Sequence, residues 1–301
     1  MSLFVALIAP AAAWGDAGHQ AVGEIAWQEL EHYADGRAVR DALKAILAGD
    51  GPEGDDGAGN YRRLYSAATW ADNFAKTHDK DWGWLAPMHY VSLKQDTAGY
   101  VRTDATCPKA KEGKPEYGPA QPDRCAVEAI PYYAARLADR ELNDAQRVLA
   151  LRLVAHFVGD LHQPLHTSHV DGRGGNSTVV TFEGESMRMH AVWDDGVIES
   201  NLKRRADGWE EFKRGDGWQS WAVELADKVT DDQRKAWTAD MTSAGWANES
   251  LALSKGELFK YKAGSKLPAD YVDKALPTIE QRVSMAGVRL AALLEQSLKG
   301  E

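Results

Sequence analysis

His156-Phe157-Val158-Gly159-Asp160-Leu161-His162-Gln163-Pro164-Leu165-His166 is the stretch whose reading decides the fold. It holds three histidines and one aspartate within eleven residues. His156 and Asp160 are four apart, so on a helix they share one face. Pro164 lacks an N–H and its ring crowds the preceding turn, so the helix must end or bend there. His166 can then swing back toward the point that His156 and Asp160 face. Upstream, Asn143 is a good N-cap with Gln146 three residues on, a capping-box pattern. Val148, Leu149, Leu151, Leu153, Val154 and Phe157 follow. The helix they predict is apolar almost all round, as a central buried helix should be.

Working outward, His190 and Asp194 form a second pair at helical spacing. Imidazole and carboxylate both suit zinc. His89 and His166 lie beside bends, where a side chain can be aimed, and Asp72 follows Trp70 in a helical stretch. His32 and His78 read as ordinary surface or core histidines. Two His/Asp pairs with His166 six residues past Asp160 predict a His/Asp-rich metal site. The spacing leaves the number of metals open.

The whole chain sets limits on this reading. A length of 301 residues with 44% hydrophobic content is enough for a sizeable core, and eleven tryptophans favour a rigid, aromatic-rich globule. A net charge of −10 argues against broad electrostatic binding to nucleic acid, while leaving room for a local positive site built by bound cations. Cys107 and Cys125 are the only cysteines and form no CxxC, which excludes thiolate zinc sites. They read as a disulfide if the chain is exported and as two free thiols otherwise. Residues 1–13 read as a signal peptide: Leu3–Ala13 is apolar, too short to span a bilayer, and ends in Ala11-Ala12-Ala13. They lack a basic n-region, and a buried N-terminal segment is the alternative. Cleavage after Ala13 would make Trp14 the new N-terminus. Helices are expected over Gly15–Tyr33, Ala38–Leu47, Tyr61–Lys76, Ala126–Asp139, Met189–Ser200, Trp209–Ala252 and Tyr271–Leu298. Lys94–Arg124 reads as a long loop and Ser177–Phe182 as one arm of a β-hairpin. No repeat or Gly/Ser linker divides the chain, so residues 14–301 are expected to form a single, mainly α domain.

Trp14-Gly15-x-x-Gly18-His19, Trp70-Ala71-Asp72, His89-Tyr90, the opening stretch, Gly174-Gly175-Asn176 and His190-x-x-Trp193-Asp194 occur in that order. This pattern resembles the S1/P1 nucleases, zinc enzymes that share a compact helical fold with the zinc phospholipases C. The likeness runs from Trp14 to Asp194; the last hundred or so residues add helices without a motif. It implies three zinc ions. Asp72, His89 and His156 would hold one, with Asp160 bridging to a second held by His19 and the freed amine and carbonyl of Trp14. His166, His190 and Asp194 would hold the third. It further implies hydrolysis of single-stranded DNA and RNA to 5′-phosphorylated products and removal of 3′-phosphates from nucleotides. Asp72 would orient the attacking water. The implied enzyme is secreted or periplasmic, and monomeric.

Three zincs bring six positive charges and Asp72, Asp160 and Asp194 remove three, so the implied pocket is positive in an acidic chain. Tyr90 stands where the family stacks a base, with core packing as the other reading. Asn176 is expected to contact substrate or to serve its turn. Two positions depart from the fungal members. A basic residue there falls at Ala75 here, with Lys76 adjacent as a catalytic substitute or a solvated charge; an acidic base-contacting residue falls at Ser92. Base preference therefore does not carry over. His162 and His169 match no ligand position and are expected behind or around the site. A phospholipase C is the nearest rival, but that branch ends its last ligand motif in Glu where this chain has Asp194. A non-catalytic zinc-binding protein is the rival from another class.

Overall fold

The structure is a computed structural model and describes residues 14–49, 61–75, 78, 82–109, 123–206 and 217–300. The expected signal peptide and Lys76 lie outside the described residues. Within them the chain is mainly helical, with one two-stranded sheet. The helices are α1 (Asp16–Glu29), α2 (Gly36–Ala48), α3 (Leu64–Ala67), α4 (Ala126–Ala138), α5 (Asp144–His162), α6 (Met189–Ala191), α7 (Val197–Arg205), α8 (Gly217–Asp227), α9 (Asp231–Trp237), α10 (Ser243–Ser254) and α11 (Tyr271–Leu298). Strands β1 (Val179–Phe182) and β2 (Glu185–Arg188) pair antiparallel, from Val179 opposite Arg188 to Phe182 opposite Glu185. No helix among the described residues is long and apolar enough to cross a membrane.

Helix α5 is the axis of the fold. The Asn143 side chain accepts from the Gln146 N–H at 3.0 Å and starts it. Every residue from Val148 to His162 is buried, as its all-round apolar pattern predicts. Helix α1 lies nearby and packs tightly on α11: a Cβ on Gly287 would sit 2.4 Å from Ile25 Cγ2. Trp14, Trp70, Trp193, Trp221 and Trp246 are fully buried.

Three element assignments differ from expectation. Tyr61–Lys76 is not one helix; it is the short α3 followed by a π-helical turn, Ala71–Ala75. Met189–Ser200 runs on to Arg205 through another π turn, Val192–Gly196. Of Trp209–Ala252, residues 209–216 lie outside the described residues, and the rest is divided, because Thr230 and Thr242 each accept an N-cap hydrogen bond and restart the helix. The Cys107–Cys125 disulfide is present and pins the long loop against the start of α4.

Candidate metal centre

The end of α5 behaves as its sequence requires. Gln163 leaves the helix in extended conformation, and Pro164 opens a 3-10 turn, Pro164–His166. The Gln163 amide oxygen accepts from the Leu165 N–H at 2.6 Å, while its nitrogen donates to Asp194 Oδ1 at 2.6 Å. One fully buried amide thus ties the proline turn to the element carrying Asp194. His166 returns toward the helix: its Nδ1 lies 3.7 Å from Asp160 Oδ1.

Three groups of ligand atoms form there. His19, His156 and Asp160 make one; Asp72, His89 and His156 a second; His166, His190 and Asp194 a third. Asp160 is the hub. Its carboxylate lies 3.4 Å from His19 Nε2, 3.1 Å from His89 Nδ1 and 3.3 Å from His156 Nε2. Trp14 is buried beside His19, and the Gly15 N–H donates to the Asp194 carbonyl at 2.9 Å. Both Asp72 and Asp194 sit on the π turns, which displace a side chain from ordinary helical spacing.

Backbone carbonyls fix the imidazoles. Nδ1 of His156 donates to Ala68 O (2.7 Å), that of His166 to His89 O (2.7 Å) and that of His190 to Gly174 O (2.5 Å). A carbonyl only accepts, so in each neutral ring Nε2 keeps the lone pair. The lone pairs of His166 and His190 then confront each other at 3.1 Å. Both ring nitrogens of His19, both oxygens of Asp160 and Oδ2 of Asp194 are buried without a hydrogen-bond partner. Buried polar atoms left without partners are costly, and a cation among them removes the cost. These residues fit zinc: nitrogen and carboxylate donors, with second bonds that hold the rings.

Burial opposes charge on His156, but Asp160 and Asp72 outweigh it and raise its pKa, a shift that a bound cation would reverse. Burial, with the neighbouring His156, lowers the pKa of His19 to about 4, which leaves it neutral and able to ligate. Burial opposes ionisation of Asp160, but His156, His19 and His89 outweigh it and hold the carboxyl well below its usual range. Burial and the Asp195 charge push Asp194 well above its usual value, against the Gln163 bond. A bound divalent ion would reverse that shift.

A cleft of about 500 Å³ opens over the centre, lined by His89, His166, His190, Tyr90, Ser92 and Asn176, among others. Tyr90 is 48% exposed, so core packing is not its role. Ser92 Oγ lies 2.7 Å from Nδ1 of the exposed His169, which therefore stands at the rim. Asn176 donates through Nδ2 to the Arg173 carbonyl at 3.0 Å, with Oδ1 buried and without a partner, so it serves its turn. His162 lies behind the centre, fully buried, with Nε2 2.9 Å from Arg289 Nη1. Gln163, Asp171 and Arg173 were missed by the sequence reading, although Gln163 lay inside its central motif. Asp171 accepts from the N–H groups of Arg173, Gly175 and Ser177 and so shapes the loop whose Gly174 carbonyl orients His190.

A family model described as S1/P1 nuclease matches residues 14–299. The chain is 30% identical to Endonuclease 4 of Arabidopsis thaliana, over 96% of this chain and 91% of that protein. It is 28% identical to Nuclease S1 of Aspergillus oryzae, over 94% and 91% respectively. It is 26% identical to Nuclease P1 of Penicillium citrinum, over 92% and 95%.

Proposed function

The chain belongs to the S1/P1 nuclease family and is a phosphodiester-hydrolysing nuclease; from that premise we propose that it cleaves single-stranded DNA and RNA to 5′-phosphorylated products and removes 3′-phosphates from nucleotides. Asp72, His89 and His156 would hold one zinc, His19, Trp14 and Asp160 a second, and His166, His190 and Asp194 a third. The observation that carries this reading is the set of buried, orphaned His and Asp atoms beneath a cleft with an exposed tyrosine. When bound, zinc supplies a lowered water pKa and offsets phosphoryl charge.

The protein's own groups do the rest. Asp72 accepts a hydrogen bond from the attacking water and holds it on the face of the phosphorus opposite the leaving O3′. Tyr90 stacks a base, and Ser92 with His169 offers a polar edge beside it. Asn176 lines the cleft and is assigned a contact with the substrate. Lys76 keeps its proposed role as the substitute for the basic residue that Ala75 replaces. The enzyme acts as a monomer outside the cytoplasm, after cleavage before Trp14 frees the amine that completes the second site.

Zinc-loaded, processed protein assayed on single-stranded DNA, RNA, 3′-AMP and phosphatidylcholine tests the reading. Release of nucleotides is expected; lipid cleavage without nucleotide release would sink it. An extra residue retained before Trp14 should reduce activity strongly, and full activity in that variant would remove the amine from the ligand set.

A further inference from the structure

Arg173 is the one lysine or arginine among the described residues lining the cleft. The helical wall presents Ala71 and Ala75, the aromatic wall Trp82 and Tyr90, and none of these carries charge. Arg173 is exposed, and its guanidinium has no hydrogen-bond or ion-pair partner among the described residues. Its backbone is held independently of that side chain. Its N–H donates to Asp171 Oδ1 at 3.0 Å, and its carbonyl accepts from Asn176 Nδ2 at 3.0 Å. The loop therefore presents a free cation from a fixed stem, beside the exposed Tyr90 and over a centre suited to phosphoryl chemistry.

Depth decides which phosphate it meets. His166 and His190, at the cleft floor, are 5% and 6% exposed, whereas Arg173 stands at the rim. A phosphate undergoing cleavage sits at the floor, among the ligands. We infer that Arg173 binds a phosphate of the substrate strand next to the one being cleaved. It thereby lets the enzyme prefer a strand over a dinucleotide, and gives an acidic protein a local grip on a polyanion. This rests on the phosphodiesterase reading above.

The test compares d(TpT), whose only phosphate is the scissile one, with a thymidine decamer, using the zinc-loaded enzyme. Arg173→Gln should raise KM for the decamer about fivefold, the scale of one exposed charge contact, and leave d(TpT) within about twofold. The slope of log(kcat/KM) against log salt should shrink by about 0.7 for the decamer. Arg173→Lys should restore that slope, which a loss of fold would not permit. Fluorescence anisotropy of a labelled decamer on chelator-treated protein gives a readout without turnover, and Arg173→Gln should weaken binding there too. An unchanged decamer KM and slope would overturn the inference, as would equal losses on both substrates. If the unsubstituted enzyme cleaves neither substrate, the phosphodiesterase reading fails, and the anisotropy arm still decides the role of Arg173.

Discussion

A Cβ added to Gly159 would lie 2.9 Å from His19 Nδ1 and 3.0 Å from its Cε1. The glycine is thus required by a ring from another helix, not by its own backbone. Gly159→Ala should favour the helix by up to about 1 kcal/mol yet displace His19. The expected result is an undiminished melting temperature without metal and a smaller rise on adding zinc; an unchanged rise would refute it. Gln163→Leu should act differently. It leaves Asp194 Oδ1 and the Leu165 N–H without their present partner, and should lower stability by about 2–3 kcal/mol in denaturant unfolding. At this scale the sequence was informative about ligand types, because i,i+4 spacing needs only a helix. It could not show that Gln163 answers to Asp194, thirty-one residues away, nor which carbonyl fixes each imidazole.

The C-terminal end of α5 shows what an element needs beyond its own residues. Its last carbonyls lack helical donors, and neighbours supply them: Ser250 Oγ donates to Leu161 O at 2.6 Å and Arg282 Nε to His162 O at 3.1 Å. Arg282 is itself buried against Glu249. Arg282→Ala should cost about 3 kcal/mol, the low end for breaking a buried ion pair, because the Glu249 side chain is 37% exposed. Equilibrium unfolding measures it, and a loss under about 1 kcal/mol would refute the capping role. Removing the disulfide should be comparable: Cys107 and Cys125 are 18 residues apart, and Cys107→Ser with Cys125→Ser should lower stability by about 3 kcal/mol. The helices themselves were legible because their apolar periods are strong. The π turns under Asp72 and Asp194 were not, since a five-residue turn within a helical pattern leaves no trace in a period of 3.6.

For the molecule as a whole, Glu249 joins α10 to α11 by accepting from both Arg282 and Arg289. Its burial would raise its pKa, but the two guanidinium groups outweigh that and hold it below the ordinary 4.5. Such a group contributes stability that is full above 4.5 and is lost as pH falls through the lower native value. The difference in melting temperature between the unsubstituted protein and Glu249→Gln should therefore be greatest above pH 4.5 and shrink below it; a difference independent of pH would contradict the assignment. The C-terminal third of the chain carried no recognisable motif, yet its helices secure the catalytic scaffold from behind. That role was illegible because Arg282 and Arg289 act through contacts 120 and 127 residues distant in sequence.

The packing of α1 on α11 also has a consequence for biogenesis. The first helix delivers His19 to the centre, and the last closes over that helix and caps the end of α5. A nascent chain halted before Tyr271 would already contain every proposed ligand, yet would lack the arginines that secure the proline turn. Metal-binding competence should thus arrive abruptly, when translation of the final helix is complete, and not accumulate ligand by ligand. A premature stop within α11 would yield a product holding the full set of ligands but no organised centre.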